Sequence, residues 1–141
     1  MIRLLVAFSF VLSLPVALFD DGAKKEQVQL ESLRVELIRR TKVDQGARNA
    51  ITEWTKAHGQ SGLLAGDGLS ETEKAEFQAI VDKIKTIDQE NTKWMQQIIE
   101  EHGWPTMKLV GKEAANDAWL LVQHADLDPK FQRRCWDLMT K

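Results

Sequence analysis

Two long stretches of this chain repeat apolar side chains at helical spacing, and each repeat is broken mid-length by polar groups. In the first, Leu30, Leu33, Leu37 and Ile51 share a face with Asp44 and Arg48. In the second, Phe77, Ile80, Ile84, Met95 and Ile98 share a face with Asp88 and Asn91. On a helical wheel Arg48 falls directly beneath Leu30, with Asp44 about 40° away, and Asp88 and Asn91 lie within about 40° of Phe77. A neutral polar group on a core-facing stripe costs about 2–7 kcal/mol unless it is hydrogen-bonded. These residues therefore form either a buried network or the floor of a site.

The punctuation between the stripes predicts where the elements begin and end. Residues 24–58 contain no proline, and Gly46 is their one weak point. Gly59, Gly62, Gly66 and Gly68 mark a connection, and Ser70 with Glu73 makes a capping box that opens a second helix reaching about residue 102. Gly103 stops that helix, Trp104 can fold back on its end, and Pro105 prevents continuation. A third helix over about residues 112–125 has a small-residue face of Ala114, Ala118 and Ala125 beside Leu121. A fourth opens with Asp128 as N-cap and Pro129 at its first position, turning Phe131, Cys135 and Leu138 inward. No strand-like alternation persists. The expected fold is all-α, a long antiparallel helical hairpin with two shorter C-terminal helices packed on it. With the fold point near residue 64, Asp44 is level with residue 84 and Asp88 with residue 40. The two polar breaks then meet within about one turn, roughly 5 Å along the axis.

Length and composition narrow the setting. The 141 residues suit one domain. Arg3, the apolar run over residues 4–14, Pro15 and the abrupt Asp20-Asp21 have the layout of a secretory signal. The expected division is a signal peptide over residues 1–17, or to about residue 23, and a single helical domain over 24–141, exported to the periplasm or beyond. The apolar run is shorter than the roughly 20 residues of a membrane span; an uncleaved N-terminal anchor is the alternative. A net charge of −2 is too balanced to favour nucleic acid or an anionic membrane surface. The lone Cys135 allows no intrachain disulfide and reads as a buried, inert small hydrophobe. Five tryptophans and no tyrosine make Trp54, Trp94, Trp104, Trp119 and Trp136 expected core contributors.

The densest run of chemistry-bearing residues is Gln123-His124-Ala125-Asp126-Leu127-Asp128. A histidine at a helix end near a carboxylate can serve as an oriented base or a metal ligand. The same position is favoured by the helix dipole alone, and Asp128 is already explained as a cap. Gln123, His124 and Asp126 nevertheless make the best second wall for a site. His58, His102 and His124 stand at three separate helix ends, so neither a metal centre nor a cofactor is expected. The glycines at 59–68 lack the lysine and hydroxyl of a phosphate-binding loop, and no serine stands at a nucleophile elbow.

Asp44-Gln45-x-x-Arg48, Asp88-x-x-Asn91, Gly103-Trp104-Pro105, Val110-Gly111 and Gln123-His124-Ala125-Asp126 occur in that order. As a set they resemble an uncharacterised bacterial family of exported or lipid-anchored helical domains of unknown function, from about residue 35 to the C-terminus. The resemblance implies a small helical domain behind a signal sequence, with polar positions at Asp44, Gln45, Arg48, Asp88, Asn91, Gln123, His124 and Asp126. Members of that family look longer at the C-terminus, and Asp126 is here followed by Leu-Asp-Pro. A site completed by such a tail would be represented here by its scaffold.

Three functions compete. The favoured one is a binding or interaction module that holds a small polar ligand, a peptide end or a protein partner through Asp44, Gln45, Arg48, Asp88, Asn91, Gln123 and His124. The second is a hydrolase-type enzyme with His124 as general base, oriented by Asp126 or Asp44, and Arg48 stabilising an anion. The third is a purely structural protein in which every polar residue serves the fold, with Asp44 and Arg48 paired and Arg40 within reach of Asp88 and Asn91.

Overall fold

The computed structural model describes residues 21–59 and 68–140. The expected signal segment and the middle of the glycine-rich connection lie outside them. Four helices follow in order among the described residues: α1 (Asp21–His58), α2 (Glu71–His102), α3 (Met107–Gln123) and α4 (Pro129–Met139), with no strand.

Local chemistry sets most of the boundaries. Ser70 is extended, its Oγ accepts from the Glu73 N–H at 3.2 Å, and the Ser70 N–H donates to Glu73 Oε2 at 2.7 Å, closing the capping box. At the other end of α2, the Gly103 N–H donates to the Ile99 carbonyl at 3.1 Å. Gly103 has φ 74° and ψ −166°. That is not the left-handed helical cap expected from sequence but the extended positive-φ region essentially reserved for glycine. Gly111 occupies the same region (φ 81°, ψ 165°) and divides α3 into a single turn and a regular helix from Lys112 onward. The regular part begins where the sequence pattern places it; four residues, 107–110, were too few to show a period. Asp128 accepts from the Phe131 N–H at 3.0 Å with Pro129 beside it, the expected start of α4.

α1 and α2 run antiparallel. Arg40 faces Asn91, Arg48 faces Asp88, Trp54 faces Phe77 and His58 faces Glu73, a register displaced by about two residues from a fold point at 64. α3 lies against both arms and carries α4. The core joins Leu33 and Leu37 of α1, Met95 and Ile99 of α2, and Val110, Ala114, Ala118, Leu121 and Val122 of α3 to Phe131 and Cys135 of α4. The alanines of α3 admit the close approach. Cys135 is fully buried, and burial pushes its thiol up to about 11, so it is held as a neutral thiol.

Length mismatch shapes the rest. A helix of 38 residues is about 57 Å long and the regular part of α3, residues 112–123, about 18 Å, so α3 covers only part of α1. Along the remainder the buried apolar residues are Ala47, Trp54 and Ile84, which stand outside the main core. Of the five tryptophans, Trp54 is buried and Trp94, Trp104 and Trp119 pack half-buried against the core. Trp136 departs from expectation: it is 51% exposed on α4, its ring 6.3 Å from that of Trp119. Among the described residues no helix is long and apolar enough to cross a membrane.

Candidate functional site

The polar breaks of α1 and α2 meet at the level where α3 ends. Asp44 is only 1% exposed, and three neighbours converge on its carboxylate. Gln45 Nε2 donates to Oδ2 at 2.8 Å, and Arg48 Nε donates to Oδ1 at 3.2 Å. His124 Nδ1 lies 3.0 Å from Oδ2 and 3.1 Å from Oδ1. Arg48 reaches across the hairpin, its Nη2 donating to Asp88 Oδ1 at 2.5 Å, and its Nε is also 3.1 Å from His124 Nδ1. α1 thus supplies the buried acid and the arginine one turn apart, α2 a second acid, and the C-terminal cap of α3 the histidine.

The placement of His124 follows from the end of α3. Its N–H still bonds the Leu120 carbonyl at 3.3 Å, while its side chain leaves the helix toward α1 and α2. Nδ1 has two carboxylate oxygens within 3.1 Å. With two carboxylate oxygens around it, Nδ1 is assigned the proton, and the single Arg48 Nε–H then donates to Asp44 rather than to the ring. In the neutral ring Nε2 is then an acceptor, and it has no hydrogen-bond partner among the described residues.

Beside the network opens a cleft of about 220 Å³, lined by Asp88, Gln89, Thr92, Lys93, Gln96, His124, Ala125, Leu127 and Asp128. Asp88 and His124 are its only members drawn from the sequence-predicted set; Asp44, Gln45 and Arg48 form the layer behind them. Burial lifts the Asp88 carboxyl above the usual carboxylate range, and Arg48 offsets only part of this; the Asp44 charge adds to the rise. Asp128 shows a double use. Its Oδ1 caps α4, and its Oδ2 accepts from Gln96 Nε2 at 3.0 Å, tying the cleft wall to α2.

The remaining predicted residues lie elsewhere. Asn91 is buried three residues beyond Asp88 on α2 and accepts from Arg40 Nη1 at 3.0 Å. Arg40 also pairs with Glu36 at 2.8 Å and stacks 4.5 Å over the Trp94 ring, a second network adjoining the first. Gln123 is exposed, and its backbone carbonyl accepts from Gln132. Asp126 is exposed and within 3.5 Å of Gln132 Nε2, so it does not orient His124; Asp44 does. Gln96, Leu127 and Asp128 were missed as cleft walls. Asp88, Thr92 and Gln96 recur every fourth residue and share one face of α2, which is the signal that could have found Gln96.

Asp44, Asp88 and His124 also offer ligand atoms within 4.8 Å of one another, a spacing at which such a trio can hold a metal ion, where the sequence pattern gave no reason to expect one. The Arg48 guanidinium lies among these groups and bonds both carboxylates, so a cation there would have to displace an existing positive charge.

The fold and the site together define a small all-helical protein with a buried ion-pair network backing an open cleft. Over residues 31–140 the chain matches DUF6624, a family of unknown function, and it belongs to that family. No curated protein and no solved structure matches it.

Proposed function

We propose that this protein is a binding module of the cell envelope whose ligand enters the cleft between Asp88, Gln96, His124 and Leu127. The observation that carries the reading is the state of His124. One ring nitrogen is fixed by the buried Asp44, the other has no hydrogen-bond partner among the described residues, and the residue lines the cleft. A purely structural network gives no reason for a histidine held in this way to line a cavity with one ring nitrogen unpaired. Asp44, Gln45 and Arg48 act from behind by holding the wall in place, and Asn91 with Arg40 secures the hairpin register. Export rests on the basic start, apolar run and polar boundary of residues 1–21.

A second reading, an acid–base enzyme, is favoured by the same Asp44–His124 pair. A buried acid that orients an imidazole and leaves Nε2 exposed is the arrangement a general base requires. The Thr92 hydroxyl is committed to the Asp88 carbonyl at 2.7 Å, so water would have to be the nucleophile. The two readings share one experiment: a small-fragment screen by NMR on the purified protein, followed by product analysis of any fragment that binds. Shifts clustered at Gln96, His124 and Leu127 support the cleft, and turnover of a bound fragment selects the enzyme. Shifts confined to other surfaces would refute both.

A further inference from the structure

The floor of the cleft is one-sided in its hydrogen-bonding character. With Nδ1–H committed to Asp44, the His124 Nε2 presents a lone pair. Asp88 spends Oδ1 on Arg48, while its Oδ2 has no hydrogen-bond partner among the described residues. Both side chains are largely withdrawn from water, at 21% and 18% exposure. Neither free acceptor is among the fully buried unpaired atoms, so both can be reached by a donor, and a hydrogen bond made there forms in a partly desolvated setting.

The charges point the same way. Asp44 and Asp88 face the single guanidinium of Arg48, so two carboxylates share one cation. Asp128 adds another acid at the rim, and the one cation lining the cleft, Lys93, is solvent-exposed. Burial also disfavours the ionised form of Asp88 despite Arg48, so a further positive charge would relieve it. The apolar part of the lining is Ala125, buried, and Leu127, 74% exposed. The volume is below the roughly 300–1,000 Å³ of sites for drug-sized ligands. It suits a group the size of one amino-acid side chain.

Building on the binding-module reading, we infer that the cleft takes a primary ammonium group on a short apolar stem, donating to Asp88 Oδ2 and His124 Nε2 while the stem lies along Leu127. Arg48 is a positioning residue in this arrangement. A free alkylamine and the N-terminus of a peptide share this chemistry.

The test is an NMR titration of the full chain, following the His124 ring and the backbone amides of Gln96 and Leu127. The probes are n-butylammonium, butyrate and n-butanol at matched ionic strength, with alanyl-alanine amide and its N-acetyl form as a second pair. Butylammonium is expected to saturate these signals and to bind about tenfold tighter than butanol, a difference typical of one well-placed charge contact. Asp88→Asn should weaken ammonium binding about tenfold while leaving butanol binding within about twofold. A tighter alanyl-alanine amide, with N-acetylation abolishing the effect, assigns the source to a peptide N-terminus; the reverse order assigns a free amine. Butyrate binding in preference to butylammonium would overturn the ammonium assignment and leave the cleft standing as a site. Silence from every probe likewise overturns the assignment, while the fragment screen independently decides the cleft.

Discussion

The two halves of the helical hairpin solve the burial problem differently. Near the α1 start and the α2 end, α3 lies across both arms, and Leu37, Met95 and Leu121 are removed from water almost completely. Toward the other end, beyond the reach of α3, the arms have mainly each other. There Trp54 stacks on His58 with centroids 4.4 Å apart and meets Phe77 at 4.9 Å, while Phe77 and Ile80 remain half-exposed. Asp44, Arg48, Asp88 and His124 stand at the border between these regimes. The position of the site is thus a consequence of helix length. A third helix that ends short of the hairpin delivers its C-terminal residue to the one level where a buried carboxylate can be satisfied on one side and a cleft can open on the other.

The contrast is broken most directly by truncating one apolar residue in each half. Leu37→Ala is expected to cost about 4 kcal/mol, because a fully enclosed leucine leaves a cavity that its neighbours cannot fill. Ile80→Ala, half-exposed to begin with, should cost about 1 kcal/mol. Chemical denaturation of the two variants provides the comparison, and equal losses would abolish the distinction between the halves. Next in size is the border itself. Asp44→Ala leaves Gln45, Arg48 and His124 without their shared acceptor and should cost about 3 kcal/mol, at the lower end for a broken buried pair because Arg48 keeps Asp88. A loss under about 1 kcal/mol would mean that the carboxylate is hydrated and that the border is not sealed.

Much of this was legible in the chain. The helical stripes, the Ser70 capping box, the Asp128-Pro129 start and the meeting of the two polar breaks at one level follow from local periodicity and an antiparallel hairpin, whereas Arg48 rather than Arg40 is the residue that reaches Asp88. What the sequence could not reveal depends on tertiary placement. Gln123 and Asp126 stand beside His124 in the chain, yet α3 ends in a turn that sends His124 inward and leaves them in solvent. Neighbours in sequence at a helix end point in different directions, so proximity along the chain overstated the cluster. Gln96 was overlooked for the opposite reason: it lies 28 residues from His124 in the sequence and meets the site only through the packing of α3 and α4 on α2. Trp136 was misjudged because the short α4 buries one narrow face, Phe131 and Cys135, and leaves Trp136 beside it half in solvent.

The smallest effect tests which force governs the border. In the folded protein burial raises the Asp88 carboxyl above its ordinary value of 3.8, with Arg48 opposing. The folded state therefore holds this proton more tightly than the unfolded chain does. Its contribution to stability is present below pH 3.8 and is lost as the pH rises through the raised value. Asp88→Asn cannot titrate, so its stability relative to the parent should improve as the pH rises from 3.8 through the raised value and then level off. The other shifted carboxylates, Glu36, Glu71 and Glu73 lowered through Arg39, Lys74 and Ser70 and Asp117 raised by burial, are common to both proteins and cancel in the difference. Paired thermal melts across that range measure the gap directly. If it moves the other way, the Arg48 ion pair outweighs desolvation at Asp88, and this residue belongs with the sealed, fully satisfied network around Asp44 rather than with the wall of an open cleft.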